Sequence, residues 1–249
     1  MLTYLFVFRR GRRSVKYFFK TEKILNNQLI YKHSKLFDKM ENISRIWMGP
    51  LPADSPYVKP FRFYYIQNGV EKNWDLLKVH DSVAIVIYNK TRKTLVFVRQ
   101  FRPAVFHGIV TSSGSTMEDV DLQKFPPNIG VTLELCAGIV DKDKSWREIA
   151  REEMVEECGY VVPADRIEEV MVYRSGVGSS GAKQIMYYCE VTDDDKAASG
   201  GGVDDELIEV VELPLEEAKK MIQQGATNNS PPSCLMGVMW FFLNKTVNN

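Results

Sequence analysis

At 249 residues, with 45% apolar and 26% charged side chains, the chain has the composition of an ordinary globular protein able to bury a full core. Lys+Arg and Asp+Glu both total 32, so there is no global field to draw nucleic acid or an anionic membrane, and partners must be sought at local sites. No apolar run approaches the roughly 18 residues that span a bilayer; Cys136, Cys158, Cys189 and Cys234 lie far apart without CxxC spacing and read as reduced, buried thiols of an intracellular protein.

Residues 1–39 differ from the rest. Met1 to Phe8 is apolar, then Arg9, Arg10, Arg12, Arg13, Lys16, Lys20 and Lys23 follow, with Glu22 the only acid before Asp38. A secretory signal puts its positive charges before the apolar stretch, so the order is wrong for one. An Arg-rich, acid-poor start suits a mitochondrial presequence, but it lacks a clean amphipathic period. The reading taken is a basic, disordered extension on a cytoplasmic protein, with the folded domain at 40–249: N-terminal strands within 55–80 and a catalytic core over about 81–245.

From Ser82 to Tyr88 and from Thr94 to Phe101, β-branched residues predict two strands joined as a hairpin across Asn89-Lys-Thr-Arg-Lys93. His107 to Gly130 reads as a long loop, and loops of that length are usually functional or mobile. Val131 to Cys136 returns to strand. Ser145-Trp-Arg-Glu148 is a capping box that opens a helix over Trp146 to Cys158, and Gly159 stops it. Strands at Val170–Tyr173 and Gln184–Val191 flank the loop Ser175–Gly181. Gly200-Gly-Gly202 begins a flexible, acidic approach to a strand at Leu207–Leu213. Pro214 opens a helix through Ile222, and a last helix over Cys234–Leu243 takes Ser233 as its cap. The order predicts an α/β or α+β sandwich.

Within the central helix stand Glu152, Glu153, Glu156 and Glu157. At about 100° per residue, Glu153 and Glu157 lie about 40° apart, with Glu156 about 60° to the other side of Glu153. Three carboxylates therefore share a face. Like charges at these spacings each cost a few tenths of a kcal/mol, so a neutralising group is expected from outside the helix. Two readings follow: a solvated acidic face, or a seat for Mg²⁺ or Mn²⁺, which prefer carboxylate oxygens and complete their shells with water and substrate phosphates.

Gly138, Lys144 and Glu152-Glu-Met-Val-Glu-Glu-Cys-Gly-Tyr160 resemble the Nudix box. Its spacing fits throughout, but Lys144 stands where Glu is usual and Glu152 where Arg is usual. If those positions face each other, the pair survives with its polarity reversed. Asp54-Ser-Pro-Tyr57, Gln67-Asn-Gly69, Trp74-Asp75, His80-Asp-Ser82, Arg99 to Val105, Glu134 to Gly138, Ser175 to Gly178 and Glu206 to Val210 extend the similarity, and within the family it looks closest to the UDP-sugar pyrophosphatases.

The resemblance implies a three-layer α/β/α sandwich on a mixed sheet with a loop-helix-loop catalytic motif, a homodimer, and hydrolysis of UDP-glucose to UMP and glucose 1-phosphate with Mg²⁺, or Mn²⁺, as cofactor. Alternatives are an ADP-ribose pyrophosphatase and an inactive nucleotide-binding module. It implies metal ligation by Glu153, Glu156, Glu157, Glu206 and the Ala137 carbonyl, the four glutamates forming the catalytic set. Arg102 suits a diphosphate oxygen because its fork matches phosphate geometry, and Glu134 joins the substrate-binding residues. Glu206 matches an acid that relatives use to hold metal or activate water, with Asp204 and Asp205 as rivals. Trp74 matches an aromatic that stacks the base, accompanied by Asp75; a core tryptophan is the competing reading. No specific nucleic acid and no membrane span are expected. His107 could close over a sugar, although a lone loop histidine is usually only exposed.

Overall fold

The structure, a computed structural model, describes residues 40, 42–223 and 229–245. The expected basic extension at 1–39 lies outside the described residues.

The first element is a free-standing hairpin, β1 (Lys59–Gln67) and β2 (Val70–Lys78), paired antiparallel from Lys59↔Lys78 to Gln67↔Val70. Asn68 and Gly69 make its turn with φ of 54° and 76°, the left-handed pair that a two-residue hairpin turn requires. Trp74 Nε1 donates to the Gly178 carbonyl at 2.8 Å and the Leu77 N–H to Ser179 O at 2.7 Å, tying the hairpin to the 175–181 loop.

The main sheet is mixed. β3 (Ser82–Asn89) runs parallel to β8 (Lys183–Val191), while β4 (Thr94–Phe101), β5 (Val131–Glu134), β6 (Cys136–Ile139), β7 (Glu168–Arg174) and β9 (Glu209–Pro214) pair antiparallel. β3 and β4 pair only over Ile87–Asn89 and Thr94–Val96, next to their turn, and then part. The segment 131–139 enters the fork they leave. Its first half pairs with β4 as β5 and its second half with β3 as β6, so the single strand expected over Val131–Cys136 is two strands that change partner at Leu135. That crossing brings Glu134, Ala137 and Gly138 to one place.

Helices cover both faces. α2 (Trp146–Cys158) buries Ile149, Ala150, Met154 and Cys158 against Val83, Ile85 and Ile87 of β3. Each such large apolar side chain contributes about 1.5–3 kcal/mol. On the opposite face α4 (Pro232–Asn244) buries Cys234, Gly237, Val238 and Phe241, an i, i+3, i+4, i+7 stripe. Gly237 sits so close to Leu135 and Val86 that a Cβ there would lie 2.8 and 2.9 Å from their methyl groups. With α3 (Leu215–Gln223) following β9, the result is a three-layer α/β/α sandwich on a mixed sheet, as expected. All four cysteines are buried free thiols.

Four local expectations need correction. Residues 103–112, placed partly in the long loop, form a helix, α1 (Pro103–Ser112), because Pro103 at its first position fixes φ and Phe106 and Val110 share a buried face. They pack with Met117 and Val120 in a satellite core, and His107 is an exposed position on this helix. The capping box is half made: Ser145 Oγ accepts from the Glu148 N–H at 3.2 Å, but the Glu148 carboxylate turns to Arg151. Pro214 ends β9 rather than opening α3. Pro231, not Ser233, is the α4 N-cap, since Pro232 can only stand at the first turn and Ser233 follows inside it.

Candidate active site

Glu153, Glu156 and Glu157 reach the site from α2, which is held at both ends. Ser145 caps its start, and Gly159, at φ 71°, ends it with its N–H on Val155 O. Glu157 is only 5% exposed, and its Oε2 accepts the Ala137 N–H of β6 at 3.0 Å. Glu153 lies over Gly138: a Cβ on that glycine would stand 2.0 Å from Oε1, so only glycine admits the carboxylate here. The Ala137 N–H thus anchors Glu157, and Gly138 leaves the room that Glu153 occupies.

Gly200, Gly201 and Gly202, all at positive φ, bring the next acid in. Gly201 N–H donates to Glu157 O at 2.9 Å and Gly202 N–H to Glu156 O at 3.0 Å, so the stretch expected to be flexible is stitched to the last turn of α2. The loop then delivers Glu206, whose Oε2 accepts the Val203 N–H at 3.1 Å. Of the three adjacent acids it is Glu206 whose charge acts on Glu153, Glu157 and Arg102. All three acids are exposed, so it is this electrostatic reach and not burial that sets Glu206 apart from Asp204 and Asp205.

Burial, then the nearby Glu156 and Glu206 charges, push the Glu153 carboxyl up to about 7 against the pull of Lys142. Burial also lifts Glu157 to about 8, opposed by the Ala137 N–H and the Cys136 thiol and reinforced by Glu153 and Glu206. Crowded, partly desolvated carboxylates that resist ionising fit a hard divalent cation, which would remove the repulsion. Among the described residues no group of three or more His, Cys, Asp or Glu side chains is placed so as to hold a metal ion. An open carboxylate face suits a cation that keeps water and substrate oxygens as ligands.

Arg102, at the end of β4, is the positive counterpart. Its Nε and Nη2 donate to Glu134 Oε1 and Oε2, each at 2.7 Å, and Thr132 Oγ1 donates to Glu134 Oε1 at 2.6 Å. Glu134 is buried and orients the guanidinium. Lys144 Nζ meets Glu152 Oε1 at 2.5 Å, so the two positions that depart from the Nudix box form the reversed pair. Trp74 and Asp75 make their contacts elsewhere. Trp74 is 55% exposed on the hairpin, which excludes the core reading, and Asp75 is paired with Arg62 at 2.7 Å. Sequence reasoning missed Lys142, whose ammonium stands 3.5 Å from Glu152 and acts on Glu153 and Glu156. No motif marks it. It also missed Thr132, whose hydroxyl completes the Glu134 clasp.

No protein-family model matches the chain. It is 43% identical over 218 residues to the uridine diphosphate glucose pyrophosphatase NUDT14 of Mus musculus, covering 82% of this chain and 96% of that protein. The NUDT14 of Bos taurus is 42% identical over 217 residues, with the same coverage. The GDP-mannose pyrophosphatase of Yersinia pestis strain Pestoides F is 32% identical over 147 residues, 58% of this chain and 63% of that protein.

Proposed function

The chain belongs to the Nudix hydrolases, and we propose that within that family it cleaves the diphosphate bond of a nucleoside diphosphate sugar, UDP-glucose giving UMP and glucose 1-phosphate. The observation that supports the chemistry is the pair of crowded carboxylates, Glu153 over Gly138 and the buried Glu157 on the Ala137 N–H, with the charge of Glu206 acting on both. Glu153 and Glu157 would hold a divalent cation, Mg²⁺ or Mn²⁺, with Glu156, Glu206 and the Ala137 carbonyl as further ligands. When bound, that cation neutralises diphosphate charge and acidifies water.

The chain's own groups do the rest. The Ala137 N–H fixes the Glu157 carboxylate. Arg102 spends Nε and Nη2 on Glu134 and offers Nη1 to a diphosphate oxygen. Val203 N–H holds Glu206 Oε2, so that Oε1 takes the proton of the attacking water. Trp74 is the base-stacking residue, with Asp75 held beside it by Arg62.

A homodimer is part of this proposal. A lone two-stranded hairpin is marginal in water, and this one exposes Phe61, Phe63, Tyr64, Ile66 and Trp74, an apolar surface suited to a second copy. The catalytic unit is assigned to 40–249, with the cytoplasm as its place and mitochondrial targeting by the Arg-rich, acid-poor residues 1–39 as the alternative, which a reporter fused to those residues decides.

The test is phosphatase-coupled phosphate release from UDP-glucose, GDP-mannose and ADP-ribose at graded Mg²⁺. UDP-glucose should be turned over fastest. Glu153→Gln and Glu157→Gln should each lose turnover by orders of magnitude while melting no lower than the parent, because relieving like charges favours the helix. Near-normal rates in both variants would return α2 to an acidic surface without chemistry.

A further inference from the structure

Glu152 carries one negative charge but meets two ammonium groups, Lys144 Nζ at 2.5 Å from Oε1 and Lys142 Nζ at 3.5 Å from Oε2. Lys144 is the closer partner of that carboxylate, and Lys142 holds it only at the edge of hydrogen-bond reach. One turn further along α2, at i+4 from Glu152, stands Glu156, with Glu153 beside it. Partial burial works to lower the Lys142 pKa, but Glu156, Glu152 and Glu153 together raise it. In return Lys142 opposes the upward push on Glu153. Arg151, the nearest helix cation in sequence, is taken by Glu148 at 2.5 Å. Because the Lys142 side chain is 44% exposed, it can turn away without opening the core.

We propose that Lys142 is a built-in stand-in for the metal: its ammonium partly neutralises the Glu153–Glu156 face while no cation is bound and must be turned away when one loads. This loop lysine then sets the cation concentration at which the site fills. It keeps acidic side chains assembled that would otherwise spread apart, and it costs affinity because a positive charge has to be moved from the approach of a doubly positive one. The idea rests on reading Glu153, Glu156 and Glu157 as the cation-holding face.

The experiment is a Mn²⁺ titration of the full-length, substrate-free protein, followed by the shift in melting temperature, for the parent, Lys142→Met, Lys142→Arg and Glu157→Gln. Lys142→Met keeps the aliphatic stem and should bind Mn²⁺ about three- to tenfold more tightly, the size expected for repulsion between charges several ångströms apart near a wet surface. Without metal it should melt below the parent, and the gap should close at saturating Mn²⁺. Lys142→Arg should restore both values. If Lys142→Met binds Mn²⁺ no more tightly than the parent while Glu157→Gln binds it weakly, the role of Lys142 is wrong and the carboxylate site stands. If Glu157→Gln binds Mn²⁺ like the parent, the carboxylate reading fails and takes this proposal with it.

Discussion

Glu153 and Glu157 are each asked to carry a charge in a place that disfavours it. In the unfolded chain both carboxyls ionise near 4.5, whereas in the fold they hold their protons up to about 7 and about 8. Between those limits the folded state binds more protons than the unfolded state, so the metal-free protein loses stability as pH rises from about 4.5 to about 8. Melting curves of chelator-treated protein across that window should fall, and added Mn²⁺ should lift the alkaline end most, since a ligand that binds only the folded state adds stability by mass action. Glu157→Gln should flatten the profile. A profile already flat in the parent would mean that neither carboxyl is held protonated. Asp195 shows the opposite sign at a distant site: hydrogen bonds from Arg166, then from Thr192, outweigh burial and hold it down at about 2, so its contribution is lost only in acid.

At the scale of elements, two glycines near the site differ in what a methyl group would meet. At Gly138 the obstacle is the end of the Glu153 side chain, which can swing aside. At Gly159 it is the backbone oxygen of Ala198, 2.1 Å from the added carbon, in a residue already at φ 71°. Gly138→Ala should therefore fold with a melting temperature close to the parent's while losing tenfold or more in Mn²⁺ affinity and turnover, about the effect of misplacing a metal ligand. Gly159→Ala should lose about 1 kcal/mol or more of stability. Urea melts beside Mn²⁺ titrations separate the two, and equal destabilisation by both would refute the picture. The helix carrying these acids was legible because its signals are local: Ser145 before it, Gly159 after it and apolar residues at helical spacing. α1 was harder to read. Gly108 and the β-branched Ile109, Val110 and Thr111 argue against a helix locally, and only the packing of Phe106 and Val110 on Met117 and Val120 decides for one. The Arg102–Glu134 clasp joins residues 32 positions apart, and the turn of Trp74 toward Gly178 spans 104; neither separation leaves a periodic trace in the sequence.

For the whole molecule, the weight of the oligomer proposal falls on the hairpin. Phe61, Phe63 and Trp74 share one face of β1–β2, with Phe63 directly opposite Trp74 in the register, and Phe63 is 52% exposed. Sedimentation velocity at micromolar concentration should find a dimer for the parent, and Phe63→Arg should shift it toward monomer with little change in the melting of the sandwich. A parent that stays monomeric at every concentration would leave the hairpin without its partner. The sandwich itself was foreseeable from the order of strands and helices. Its fork was not, because the parting of β3 from β4 depends on which strand the 131–139 segment chooses at each end, a choice made by the assembled sheet.

The main-chain seam between the glycine run and α2 also makes the site observable without substrate. Gly201 and Gly202 donate their N–H groups to Glu157 O and Glu156 O, so each amide proton is hidden only while the loop that carries Glu206 is docked. Their rate of exchange with deuterium therefore reports how often the loop lifts. Both glycines should exchange far more slowly than their loop position suggests, slower again with Mn²⁺ bound, and glycine amides resonate in an uncrowded region of a nitrogen–proton spectrum where two such signals can be followed singly. Unprotected exchange at both positions would mean that Glu206 is delivered by a loop that spends its time undocked.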